Sequence, residues 1–140
     1  MELIERDKGN IPSEKFPREE RLSSQKIIEE LFSKGSSNYL YPFRIIMLGR
    51  NEENRDFPQI LISVPKKNFK KAVDRNRIRR QIREIYRKNK SRIFSEKNVI
   101  MPLYLAIIYS AKEKNDYKEL EKKLILIFLR CTRADPNISI

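Results

Sequence analysis

The chain has 140 residues, 31 Lys and Arg against 19 Asp and Glu, a formal net charge of +12, no histidine, no tryptophan and one cysteine, Cys131. Its length and 39% hydrophobic share suit a single domain with one modest core. The absences exclude Ser-His-Asp and Cys-His nucleophiles, histidine acid–base pairs, imidazole zinc sites, intrachain disulfides and CxxC zinc ribbons, while the positive surplus asks for a polyanion, nucleic acid first.

In chain order, residues 1–15 are polar, with Gly9, Asn10 and Pro12, and read as a flexible N-terminal tail. Met1 to Arg6 carries acids and no apolar stretch, unlike a secretory signal. Ser23 or Ser24 can cap a first helix bearing Ile27, Ile28, Leu31 and Phe32 at helical spacing, with Gly35 as its stop. Ser36 to Tyr41 reads as loop or a short edge strand, Phe43 to Leu48 as a buried strand, Gly49 to Asp56 as a polar turn, and Gln59 to Val64 as a strand ended by Pro65.

Ile78, Ile82, Ile85 and Tyr86 then form one stripe of a helix that starts close to Val73, with Asp74 as its cap. Met101 to Tyr109 is expected to be a longer strand with Pro102 near its start. Asp116 and Glu119 resemble a capping box before a last helix carrying Tyr117, Leu120, Leu124, Ile127, Phe128 and Cys131. Residues 134–140 read as a C-terminal tail, leaving 16–133 as the domain. The predicted fold is an α+β two-layer sandwich of order α-β-β-β-α-β-α, with helices packed on a small mixed sheet. The longest apolar stretches, Met101–Tyr109 and Leu124–Leu129, are too short to span a bilayer, so the expectation is a soluble, cytoplasmic protein with no membrane association and no obligate protein partner.

The charge is concentrated. Between Lys66 and Arg92 thirteen basic residues face two acids, Asp74 and Glu84, so this segment holds eleven of the twelve net positive charges. A solvated helix face would mix signs to gain i,i+4 pairs, and this one barely does. Within it, Asn76, Arg79, Arg80, Arg83 and Arg87 cluster on a face adjoining the apolar stripe, with Arg77 and Lys88 further round. An arginine fork gives two parallel hydrogen bonds to a phosphate and stays charged at any cellular pH. Asn76 adds a donor and an acceptor suited to a 2′-hydroxyl or a base edge. No helix-turn-helix or zinc module is visible, so folded RNA is preferred to DNA as the partner.

Arg75-Asn76-Arg77-Ile78-Arg79-Arg80-Gln81-Ile82-Arg83 resembles the RNR signature of the protein subunit of bacterial ribonuclease P. Around it, Arg21-Leu22 with Ile28, Phe32 and Gly35 resembles the family's first helix, and Ser63-Val64-Pro65-Lys66-Lys67 with Ala72-Val73 its approach to the RNR run. The resemblance implies a mixed sheet with a left-handed crossover and an accessory role in a ribonucleoprotein. In that role the chain binds the ribonuclease P RNA and the 5′ leader of precursor tRNA. Catalysis then resides in the RNA with its Mg2+ ions, and the chain has no catalytic residue and no firmly held metal. By position, Arg75, Asn76, Arg77 and Arg80 would contact the RNA subunit, with Arg87 further along. Asn76, Arg79 and Arg83 would line or flank the leader cleft, with Lys66 and Lys67 on phosphates at its rim. Phe32 matches an aromatic of the cleft, with a core role weighing about evenly against it, and Phe16 could cover one end, although the packing-anchor reading is the stronger one for Phe16. Ile28 and Ile46 stand at cleft positions where family members often carry aromatics. The rival readings are a ribosomal-protein-like structural RNA binder, and a protein nuclease or DNA-binding module.

Overall fold

The structure, a computed structural model, describes residues 16–50, 57–94 and 101–132. The two tails, most of the Gly49–Asp56 turn and the segment 95–100 lie outside the described residues. A 3-10 turn at Arg18–Glu20 is followed by α1 (Gln25–Lys34), β1 (Ser36–Leu40), β2 (Phe43–Leu48), β3 (Gln59–Ser63), α2 (Ala72–Phe94), β4 (Tyr104–Tyr109) and α3 (Tyr117–Cys131). The class and element order are those expected.

The sheet runs β1-β2-β4-β3. The pairs β1/β2 and β2/β4 are antiparallel, and β3/β4 is parallel, so α2 is the crossover between two neighbouring strands. This order corrects the start of the last strand. β4 is central and paired on both sides, so it has no free edge to excuse a proline, and it begins two residues after Pro102.

Strand parity decides what lies on each side. Phe43 and Ile45 of β2, Leu105, Ile107 and Tyr109 of β4 and Ile60 of β3 join the main core with Ile78, Ile82, Ile85 and Tyr86 of α2 and Leu120, Leu124, Ile127 and Phe128 of α3. The alternate residues Ile46, Ala106 and Ile108 face the other way and pack with Leu22 and Leu31, against which Ile27 and Ile28 also rest. α1 therefore adds a partial third layer to the expected two-layer sandwich. β4 is apolar on both faces because both are covered, which also explains why the faces of Tyr104 and Tyr109 resist assignment from the sequence; β2 is covered likewise except at Arg44.

Local details follow from the same physics. Ser24 caps α1 by accepting from the Ile27 amide at 3.4 Å. Gly35 ends α1 in an extended conformation, and its need for glycine is one of space: a Cβ there would stand 2.5 Å from the Leu31 carbonyl oxygen and 2.6 Å from Ile46 Cγ2. Arg21 and Leu22 precede α1, as a cap at Ser23 or Ser24 requires, and the Leu22 amide donates to Ile60 O at 2.8 Å, tying the segment to the β3 edge. Two local expectations are corrected. Asp74 sits inside the first turn of α2 and pairs with Lys114 at 3.0 Å instead of capping. Asp116 takes the N-cap position of α3, but its side chain makes no cap hydrogen bond, so the capping box with Glu119 does not form.

Candidate RNA interface

α2 holds no glycine or proline, and its apolar stripe of Ile78, Ile82, Ile85, Tyr86 and Ile93 is drawn into the main core. Burying that stripe turns the arginines between its members outward. Arg77, Arg80 and Arg83 are exposed and make no ion pair among the described residues. Lys66 and Lys67 are exposed on the turn after Pro65. Arg79 Nη2 donates to Asn76 Oδ1, which engages the amide oxygen and leaves the NH2 group of exposed Asn76 as a donor.

Other members of the basic run are occupied by the protein itself. Arg75 is half-buried and donates from Nη1 to the carbonyl oxygens of Phe69, at 2.8 Å, and Lys70, at 2.9 Å. It clamps the turn bearing Lys66, Lys67, Lys70 and Lys71, and is thereby partly withdrawn from the phosphate contact expected of it. Arg87 forms a bidentate pair with Glu84, Nη2 to Oε1 at 2.7 Å and Nε to Oε2 at 3.1 Å. That hydrogen bond, with the charge of Arg87, holds the Glu84 carboxyl below its ordinary value.

Lys90 is fully buried, its Nζ 2.7 Å from Glu20 Oε1 and 4.4 Å from the centre of the Phe57 ring. Asn89 beside it is also buried and donates to Ile85 O at 2.8 Å and Glu121 Oε2 at 3.1 Å. Lys90, counted in the basic zone from the sequence, thus belongs to the interior.

A second surface lies on the α1 side of the sheet. Strand register places Tyr39, Arg44, Ile108 and Ser63 in one row across all four strands, and Ser37, Ile46, Ala106 and Leu61 in the next. α1 covers the second row. Tyr39 and Arg44 in the first row remain exposed, Tyr39 at 58%, and Arg44 Nε donates to Ser37 Oγ at 2.9 Å. Phe32 on α1 is also exposed, at 46%, so it is surface and not core. The row's β3 end continues through Val64 and Pro65 into Lys66 and Lys67.

The structure sorts the other cleft expectations. Ile28 is half-buried on α1, and Ile46 is buried beneath that helix, so Ile46 supports the surface without being part of it. Phe16 packs on the opposite side, edge-on to Tyr86 with ring centres 5.9 Å apart and the Arg21 guanidinium 5.5 Å from its own centre. It is an anchor of the main core and does not close this surface. Sequence reasoning missed Tyr39 and Arg44. Part of the signal was available: Arg44 alone breaks the apolar run Phe43–Leu48, and its parity sets it on the face opposite Phe43 and Ile45.

The remaining reactive groups are interior. Burial pushes the Cys131 thiol up to about 12 and Tyr86 well above its ordinary value. Both match their expected packing roles. Among the described residues no helix is long and apolar enough to cross a membrane.

The sequence model of the ribonuclease P family matches residues 16–132. The ribonuclease P protein component of Porphyromonas gingivalis (strain ATCC 33277) is 28% identical over 123 residues, covering 86% of this chain and 88% of that protein. The component of Geobacillus sp. (strain WCH70) is 33% identical over 105 residues, covering 75% and 84%. In structure the chain is similar to the ribonuclease P protein of Thermotoga maritima, with a TM-score of 0.63, 25% identity, and coverage of 79% of this chain and 96% of that one. The Staphylococcus aureus protein matches with a TM-score of 0.59 at 23% identity, over 77% and 91%.

Proposed function

The chain belongs to the ribonuclease P protein family, whose members are components of a tRNA-processing ribonuclease, and from that premise we propose that its two exposed surfaces divide RNA recognition between them. The outer face of α2, with Arg77, Arg80 and Arg83, holds the phosphate backbone of the ribonuclease P RNA. The open row on the α1 side, with Phe32, Tyr39 and Arg44, takes the single-stranded 5′ leader of precursor tRNA. Lys66 and Lys67, at the end of that row, neutralise leader phosphates.

The observation that carries this reading is the set of exposed guanidinia, Arg77, Arg80 and Arg83, that make no ion pair among the described residues, on a helix where Arg75, Arg79, Arg87 and Lys90 are held by protein groups. Each arginine placed on a phosphate displaces condensed counterions, so binding rests on charge and weakens steeply with salt. Rings such as Phe32 and Tyr39 can stack unpaired bases at about 1–3 kcal/mol per base without demanding a sequence.

Catalysis resides in the RNA in this reading, and Mg2+ held there, not by this chain, would supply the Lewis-acid chemistry of hydrolysis. The chemistry of the chain supports that division. The two acids of the basic zone are committed to cations, Asp74 to Lys114 and Glu84 to Arg87, and no histidine exists to move a proton.

Reconstitution tests the reading. The chain is combined with a bacterial ribonuclease P RNA and 5′-labelled precursor tRNA at low magnesium, and leader release is followed. The expected result is cleavage that needs the RNA and gains strongly from the protein. RNA binding without any gain would point to a structural RNA binder, and cleavage by the protein alone would point to a nuclease.

A further inference from the structure

We propose that the groove between α2 and the first turn of α3 is a pocket for one unpaired nucleotide of the partner RNA. This rests on the reading of α2 as the RNA-facing helix and adds a base-recognition site to a face otherwise read as holding backbone alone.

The groove encloses about 380 Å3 and is lined by Arg80, Gln81, Arg83, Glu84, Arg87 and Tyr117. That volume falls within the roughly 300–1,000 Å3 of ordinary small-ligand sites. Its wall is almost entirely carbon, although five of its six residues bear strongly polar groups, so the side-chain stems and the tyrosine ring form the surface. The Tyr117 hydroxyl is buried and has no hydrogen-bond partner among the described residues. What Tyr117 offers a ligand is therefore its ring, near which Lys88 Nζ stands 5.9 Å from the centroid.

The charges narrow the occupant. Glu84 and Arg87 satisfy each other at 2.7 Å, which leaves two exposed guanidinia, Arg80 and Arg83, at a carbon-walled groove. A purely apolar ligand would leave both forks without a partner, and a bare phosphate would leave the wall wet. A nucleotide meets both demands: a flat aromatic body for the wall, and a phosphate for the forks. Gln81, half-buried in the lining, carries an amide that can donate to and accept from a base edge.

The test is base-specific chemical probing of full-length ribonuclease P RNA bound to the intact chain and to three variants, with affinity and its salt slope measured in parallel. The wild-type chain should protect one unpaired base. Tyr117→Leu, which removes the ring, should restore that base's reactivity and weaken binding roughly five- to hundred-fold without changing the salt slope. Tyr117→Phe should behave as wild type, because the hydroxyl is not presented. Gln81→Trp should also restore reactivity by filling the groove, and it decides the matter if Tyr117→Leu does not fold.

Identical protection by wild type, Tyr117→Leu and Gln81→Trp would overturn the pocket while leaving the RNA-binding reading intact. So would a salt slope that falls in Gln81→Trp with no base affected, since Arg80 and Arg83 would then hold backbone alone. A wild-type chain that does not bind the RNA would overturn the wider reading, and the pocket with it.

Discussion

Arg77, Arg80 and Arg83 stand exposed in the first half of α2 with no ion pair among the described residues, whereas one to two turns later Arg87 is locked to Glu84, Asn89 is buried, and Lys90 is sealed against Glu20 and Phe57. The two halves look alike as sequence, both dense in cations. They differ in whether a carboxylate reaches them. Glu84 lies one turn from Arg87, and the 3-10 turn brings Glu20 to Lys90 across seventy positions; among the described residues no carboxylate meets Arg77, Arg80 or Arg83. Formal charge therefore overstates how many cations the helix presents outward, and the carboxylates drawn to the second half convert part of a basic helix into an anchor for the rest.

The most severe break of this comparison is Lys90→Ala. It leaves Glu20 facing an emptied, desolvated site, and loss of one partner of a buried pair costs about 3–5 kcal/mol. Urea unfolding should show that loss, while the protein still folded in native buffer binds ribonuclease P RNA as wild type does. A large loss of affinity with little loss of stability would place Lys90 at the interface instead.

Arg77→Ala combined with Arg80→Ala should do the reverse. Each charged hydrogen bond to phosphate is worth about 1.5–3 kcal/mol, so the RNA dissociation constant should rise at least tenfold per arginine with the melting temperature unchanged.

Arg75 tests the boundary between the two behaviours. If it acts by clamping the lysine turn, Arg75→Ala and the pair Lys66→Ala/Lys67→Ala should share one loss. A double-mutant cycle on RNA affinity would then show coupling of about 0.5–3 kcal/mol. Additive losses would mean that Arg75 touches phosphate independently.

The smallest effect belongs to Glu84→Gln. The Arg87–Glu84 pair is about one-third exposed on each side, so it contributes at most about 1 kcal/mol. Because the folded carboxyl is held below its ordinary value, that contribution is present above the unfolded pKa and is lost as pH falls through the folded one. The stability difference between wild type and variant, read by urea unfolding, should be present at pH 7 and vanish in strong acid.

The sequence was most legible where one element's own periodicity decides the outcome. The stripe Ile78, Ile82, Ile85 and Tyr86, the core positions of α3, the strand at Phe43–Leu48 and the stop at Gly35 all follow from spacing or size. It was least legible where distant segments meet. Lys90 reads as surface until Glu20 is brought to it, and Arg75 reads as an RNA contact until the preceding turn presents its carbonyl groups. Phe16 could be placed at one end of the cleft or, preferably, as a packing anchor; the anchor is what forms, because the chain passes to the other side of the sheet, where Tyr86 receives it. Ile46 was placed in the cleft although α1 covers its strand position. Strand parity alone would have exposed Tyr39 and Arg44, had the sheet order been known.

The claim beneath all of this is that the exposed guanidinia of the first half of α2, and not its total charge, hold the RNA. The salt dependence of binding to ribonuclease P RNA measures it directly, using two variants that each delete one positive charge. Arg80→Ala should flatten the slope of log affinity against log salt by nearly one unit, by analogy with about 0.9 per phosphate on duplex DNA, and Arg87→Ala should leave it within error of wild type. Equal flattening by both, or flattening by Arg87→Ala alone, would contradict the account.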